Sequence, residues 1–211
     1  MTELSLYAES TWMSPWAFHA MVALEEKHLP YALRVVDMPM SADRKAELRG
    51  KAILGKVPIL VHGALWISES LAISEYLAET FPAPAHPRLF PADLGERARA
   101  RQVMSMLRTS LFALREQRPT SRVFGRVLDA APRLTDKAAE DAAELVRVAA
   151  ALIAPGKTSL FDAWCIADAD LALALMRMVA NQDAMPQHLI DYARAQWGRD
   201  SVRRYLSHAA A

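Results

Sequence analysis

Four short stretches combine residue types that can do chemistry. The first is WMSPWAFHA (12–20), where Ser14 and Pro15 precede an amphipathic pattern. Serine is a preferred helix N-cap because its oxygen accepts a backbone N–H. Proline suits the first helical position, where its missing donor is no loss. The same geometry can hold a reactive anion. A helix N-terminus carries about half a positive charge. A hydroxyl there can donate to a bound thiolate and lower its pKa. Both roles stay open on residue type alone.

The second stretch is LGKVPIL (54–60). Proline inside an apolar strand removes a ladder hydrogen bond. Either this is an edge strand with a trans proline, or the Val57–Pro58 bond is cis. In the second case Val57 offers its backbone N–H and C=O to a peptide-like ligand, which pairs as an extra strand. The third stretch is ISESLAI (67–73), where Glu69 and Ser70 follow a strand and open a helix. They cap that helix, or they recognise an amino-acid head group. Glu69 would then pair with an ammonium, while Ser70 and the helix N-terminus would take a carboxylate. The fourth is WCIADADLAL (164–173). Asp168, three residues after Cys165, can bind backbone donors as a structural box that starts a core helix.

Other residues offer less. His19, His28, His62, His86, His188 and His208 show no metal-ligand spacing, so no metal is expected. The seven glycines form no phosphate-binding loop. Arg97, Arg99 and Arg101 read as a solvated helix face. Cys165 is the only cysteine, which excludes an intramolecular disulfide and suggests a packed core thiol.

The elements that must position these groups change character near residue 81. LSLYA (4–8) reads as a buried strand and 15–28 as a helix burying Ala17, Ala20, Met21 and Leu24. YALRVVD (31–37) is a second strand, and 41–50 is a short helix or irregular. VPILVHGALWIS (57–68) reads as two strands around Gly63, and 70–81 as a helix with Leu71, Ser74, Leu77 and Ala78 on one side. That order, β-α-β-α-β-β-α, implies a small α/β unit with a mixed sheet. Four prolines in FPAPAHPRLFP (81–91) make an extended connector. Helical period follows in 93–117 (one helix or two), 137–153, 166–180, 188–197 and 201–209.

The 211 residues are 53% hydrophobic with a formal net charge of +1, so neither nucleic acid nor an anionic membrane surface is favoured as a partner. No apolar run reaches the ~20 residues that span a bilayer. The start, MTELSLYAES, lacks the basic and apolar parts of a secretory signal, and a cytoplasmic protein is expected.

Taken in order, these segments resemble the cytosolic glutathione S-transferases over nearly the whole chain. SPW (14–16) is similar to the active-site start of the serine and cysteine classes. KVPIL (56–60) resembles the cis-proline segment, and ESLAI (69–73) the γ-glutamyl-binding motif. LFPADLGERARARQ (89–102) resembles the linker and first C-terminal helix, and CIAD (165–168) the helix-capping box, with Cys165 in place of the usual Ser or Thr. The likeness is greatest to bacterial transferases connected with oxidative-stress defence.

The resemblance implies an α+β fold: a thioredoxin-like N-terminal domain (1–80), a proline-rich linker (81–92) and an all-α C-terminal domain (93–211). It implies glutathione as co-substrate and a small hydrophobic electrophile, a homodimer, and a role in detoxification. Ser14 would bond the glutathione sulfur, with Tyr7 the runner-up, since other classes use a tyrosine near that place. Val57 and Pro58 would hold the cysteinyl backbone, and Glu69 and Ser70 the γ-glutamyl group. The glycyl carboxylate would meet a basic residue among Arg44, Lys45, Arg49, Lys51 and Lys56, with Arg44 or Lys56 put forward. Helices within 100–120 and the loop at 8–13 would line the electrophile pocket, with Trp12 and Met13 as an apolar wall. Two rivals stand beside conjugation: glutathione-dependent reduction of organic hydroperoxides, and a non-catalytic interaction module of the same fold.

Overall fold

A computed structural model describes residues 3–125 and 130–209. The chain termini counted in the two expected domains, 1–2 and 210–211, lie outside the described residues. Strand β1 (Leu4–Glu9) is followed by α1 (Pro15–Glu26), β2 (Tyr31–Val36), α2 (Ala42–Ala52), β3 (Ile59–His62), β4 (Leu65–Ser68) and α3 (Ser70–Thr80). The sheet order is β2-β1-β3-β4. β1 and β2 run parallel, while β1 with β3 and β3 with β4 are antiparallel. This is the mixed sheet that the alternating periods imply.

Strand alternation sorts β1 onto two faces. Leu4, Leu6 and Ala8 join the main core with α1, while Tyr7 packs on the other face with Leu48, Ala52, Ile59 and Trp66. Helix α1 is buried all round from Ala17 to Leu24, because the sheet lies on one side and the helical half on the other. Phe18 stacks near Trp197 and meets Phe124 and Tyr205, so one side chain ties the two halves together. Burying such a ring contributes about 1.5–3 kcal/mol. On α3 Ser70, Ile73, Ser74 and Leu77 are buried, and Leu71 and Ala78 are half-buried against the same core.

The segment beyond Thr80 is not an open string. His86 N–H donates to the Pro82 carbonyl at 3.2 Å, and the Leu89 carbonyl accepts from Ile166 N–H at 2.8 Å. Leu89 and Phe90 are buried. From there the chain is helical: α4 (Leu94–Thr109), α5 (Phe112–Gln117), α6 (Ser121–Phe124), α7 (Asp136–Leu152), α8 (Ile166–Val179), α9 (Gln187–Trp197) and α10 (Asp200–Ala209). The 93–117 pattern is two helices, broken where Leu111 takes φ +60. Helix α6 is too short to register as a period. Of the arginine run, Arg99 is solvated, but Arg101 grips Glu75 of α3 with two bonds of 2.7 Å and Arg97 bonds the Pro91 carbonyl at 2.9 Å.

Asp168 is fully buried at the start of α8. Its carboxylate accepts from Cys165 N–H at 2.8 Å, Leu160 N–H at 2.7 Å and the Tyr192 hydroxyl at 2.7 Å. It fastens three segments, as the box reading requires. Burial pushes the Cys165 thiol well above its ordinary range, with the Asp168 charge adding to the effect.

Candidate active site

Ser14 stands between β1 and α1 at the N-cap, with φ −78° and ψ 120°. Its Oγ accepts from Trp16 N–H at 3.3 Å and Ala17 N–H at 3.2 Å. Both acceptor positions of the hydroxyl are therefore used, and its own proton has no acceptor among the described residues. A hydroxyl that accepts two bonds is polarised and becomes a stronger donor. The cap and donor roles thus draw on different atoms of one group.

Two partners that local sequence patterns do not show hold this residue. Glu9, buried at the end of β1, accepts from Ser14 N–H at 2.8 Å and Thr11 N–H at 2.6 Å, and it also takes the Thr11 hydroxyl. Tyr205, on α10, donates its hydroxyl to the Ser14 carbonyl at 3.0 Å. Ser14 is clamped through its N–H from one half of the molecule and through its C=O from the other. A charge at the end of β1 was the sole local sign of Glu9. Nothing local marks Tyr205.

Tyr7 lies elsewhere. Its ring packs at 5.3 Å from Trp66, with the Arg44 guanidinium 5.7 Å from its centre, on the α2 face of the sheet. Val57–Pro58 is cis and leads directly into β3. Met38–Pro39 and Ala83–Pro84 are cis as well, in positions the sequence reading had not singled out. Gly55, two residues before Val57, lies hard against α2, where a Cβ would come within 2.5 Å of the Lys45 carbonyl oxygen. The close approach fixes where the 54–58 segment runs.

At the start of α3 the capping expectation fails. Glu69 is exposed, holds φ +70 and makes no side-chain cap bond. Ser70 is the first helical residue, buried, and its Oγ accepts from Arg108 at 3.5 Å. The N–H groups of this first turn therefore carry no side-chain cap. A non-glycine residue at positive φ costs about 1–3 kcal/mol and persists where the surroundings over-determine it. Arg44 is engaged with Glu47, and Lys51 bonds the same carboxylate at 2.8 Å. Lys56 is exposed beside Val57 with no ion pair among the described residues.

Between Pro15–Trp16 and helices α4, α5, α7 and α8 lies a cleft lined by Leu107, Leu111 and Leu173 together with Arg108, Arg115 and Arg177. Asp170 at its edge bonds His19 Nδ1 at 2.8 Å and also Arg108. Burial alone would raise the Asp170 carboxyl, but the His19 and Arg108 charges outweigh it and hold it below the usual range. The expected wall of Trp12 and Met13 is not what closes this cleft. Trp12 is buried against His208, stacked at 4.5 Å, with Tyr205 edge-on, because α10 folds over it. Met104 is core, while Leu107 and Leu111 do face the cleft.

A thioredoxin-like sheet unit bearing a fixed hydroxyl and an uncapped helix start, set against a helical unit across a cleft, defines the fold class. Residues 13–80 match the family described as "Glutathione S-transferase, N-terminal domain", and residues 93–211 match "Glutathione S-transferase, C-terminal domain". A solved glutathione transferase homolog from Burkholderia GL BGR1, with bound glutathione, is 32% identical at a TM-score of 0.79, covering 99% of this chain and 98% of that one. Glutathione S-transferase U13 of Arabidopsis thaliana is 40% identical over 93 residues, 43% of this chain and 39% of that protein. A probable maleylacetoacetate isomerase of Vibrio cholerae is 36% identical over 96 residues, 44% of this chain and 43% of that protein. The matched region spans less than half the length of each of these two relatives. The chain belongs to the glutathione S-transferase family.

Proposed function

We propose that this protein is a serine-type glutathione S-transferase that joins the glutathione thiolate to a small electrophile. The observation that carries the reading is the Ser14 hydroxyl, whose oxygen is fully occupied and whose proton is free to donate. A thiol in water titrates near 8.5. Lowering that by about two pH units takes roughly 2.7 kcal/mol of preference for the anion. One hydrogen bond to a charged group supplies about 1.5–3 kcal/mol, and a helix N-terminus adds ~0.3–1 kcal/mol. The two together are sufficient.

The rest of glutathione fits the groups around it. Val57 pairs with the cysteinyl backbone beside the cis Pro58. The uncapped N–H groups of α3 and the Ser70 hydroxyl receive the γ-glutamyl carboxylate, and exposed Glu69 meets its ammonium. Lys56, unlike Arg44, has its charge unspent and is assigned the glycyl carboxylate. Tyr7, on the opposite face of the sheet, takes no part. The thiolate then attacks an electrophile in the cleft between the 1–80 and 93–211 units. A homodimer, a cytoplasmic location and a part in oxidative-stress defence complete the proposal, each resting on the likeness to the family.

Calorimetry with glutathione, followed by turnover of 1-chloro-2,4-dinitrobenzene and of cumene hydroperoxide, tests it. The expected result is glutathione binding with conjugation the faster reaction. Faster peroxide reduction would replace the electrophile by a peroxide oxygen. No glutathione binding at all would leave a non-catalytic module.

A further inference from the structure

A buried polar cluster joins the helix that starts at Ser14 to the helix that starts at Ser70. Its centre is Asp170, on α8, which is 7% exposed. His19, on α1, is fully buried and bonds Asp170 Oδ1 through Nδ1 at 2.8 Å. Its Nε2 has no partner among the described residues, so the ring spends its hydrogen bonding on Asp170. Arg108, on α4, donates Nη1 to Asp170 Oδ2 and to the Met104 carbonyl, the latter at 3.1 Å. Its Nη2 lies 3.3 Å from His19 Nδ1 and 3.5 Å from Ser70 Oγ.

These contacts sort into donors and acceptors. Burial raises the Asp170 carboxyl, but the His19 and Arg108 charges outweigh it, so the group is an anion. A carboxylate has no proton to give, so the proton of the 2.8 Å contact sits on His19 Nδ1. Two donors do not bond each other, and Arg108 Nη2 therefore gives its proton to Ser70 and not to His19. Ser70 Oγ accepts from Arg108, while its own proton has no acceptor among the described residues. A buried ion pair adds little net stability, because desolvation offsets the attraction. What this pair supplies is position. Both Nη1 protons are spent, and the Trp16 ring lies 5.1 Å from the guanidinium. The plane is held, and its charge stands beside the first residue of α3.

We propose that Asp170 is a positioning residue for glutathione: it holds Arg108 against Ser70, and the Arg108 charge gives the α3 start much of its preference for a carboxylate. Arg108 occupies the Ser70 oxygen and leaves the hydroxyl proton for the ligand. The N–H groups of the first turn and this cation then act on the γ-glutamyl carboxylate with the same sign. The helical half thereby takes part in holding glutathione as well as the electrophile. The assignment rests on the reading of Ser70 as the γ-glutamyl site.

Glutathione and 4-aminobutanoyl-cysteinyl-glycine share every group except the γ-glutamyl α-carboxylate, and calorimetry with both reads the effect. The unaltered protein is expected to prefer glutathione by about tenfold or more, the scale of one charge-assisted contact. Arg108→Gln leaves Asp170 its bond to His19, so the buried carboxylate is not orphaned. In this variant glutathione should bind about five- to tenfold more weakly, with the analogue within about twofold of its former affinity. Arg108→Lys keeps a charge on the same face and should restore part of the preference. Asp170→Asn should cut the preference by at least about threefold, because the guanidinium loses the partner that holds it.

A disturbance of packing alone weakens both ligands alike. Equal weakening of the two in Arg108→Gln, or a preference unchanged in Asp170→Asn, overturns the proposal and leaves the glutathione reading standing. Binding of neither ligand by the unaltered protein removes that reading, and the proposal with it.

Discussion

At the start of α1, Ser14 Oγ accepts from two backbone N–H groups at 3.3 and 3.2 Å; at the start of α3, Glu69 accepts from none. Both turns begin with residue types that cap helices. The α1 end is closed from within, and its serine is braced by Glu9 and Tyr205. The α3 end is left open, with Glu69 held at φ +70 and Ser70 just inside the helix. A fixed donor needs its supporting bonds made before the ligand arrives, because orientation then costs nothing during the reaction. A binding end needs its donors unspent. On the proposed reading the two ends divide the work: one acts on the glutathione sulfur, the other on its γ-glutamyl end.

The largest test separates cap from donor at α1. Ser14→Ala is expected to lower kcat by about 10- to 100-fold, the worth of one hydrogen bond to an anion, while the KM for glutathione stays within about twofold. Ser14→Asp keeps an acceptor for the helix but has no proton to give. It should retain the melting temperature and lose activity as fully as alanine. If the aspartate variant stays active, Ser14 is a cap alone.

Next in size is Ser70→Ala. If its hydroxyl receives the γ-glutamyl carboxylate as proposed, its loss should raise the KM for glutathione by roughly tenfold with kcat nearly unchanged. A fall in kcat with KM steady would merge the two ends into one function. Glu9→Gln follows. Half of its acceptor strength for Ser14 and Thr11 goes, at a cost of about 1–2 kcal/mol, read as a lowered melting temperature with a smaller loss of kcat. Tyr205→Phe removes one neutral bond, worth about 1 kcal/mol, so kcat should drop by no more than about fivefold. Tyr7→Phe should change neither parameter measurably. A clear loss there would move the donor role across the sheet.

The α1 end was legible in sequence because a cap and a first-turn proline are neighbours, and their chemistry is local. The strand and helix order was legible for the same reason, as was the Asp168 box. The α3 end was only half legible. ESLAI names the residues, but the left-handed conformation of Glu69 leaves no mark in residue type, since an exposed glutamate is an ordinary cap neighbour. Glu9 and Tyr205 escaped notice because their importance lies in a partner across a loop or across the fold. The grouping of the cleft arginines was equally hidden. Arg108, Arg115 and Arg177 sit on three helices, and Arg115 and Arg177, 62 residues apart, are joined by the bond from Arg177 Nη1 to the Arg115 carbonyl. Trp12 shows the reverse error, in which an aromatic residue near a site was assigned to its wall while α10 had a prior claim on it.

The bond from Tyr205 to the Ser14 carbonyl joins positions 191 residues apart. Ser14 emerges from the ribosome well before Tyr205 and waits for that stretch of translation before its brace exists. A chain cut between α9 and α10 keeps every group assigned to glutathione and still lacks that brace. Turnover per mole would then report how much of a preparation carries α10.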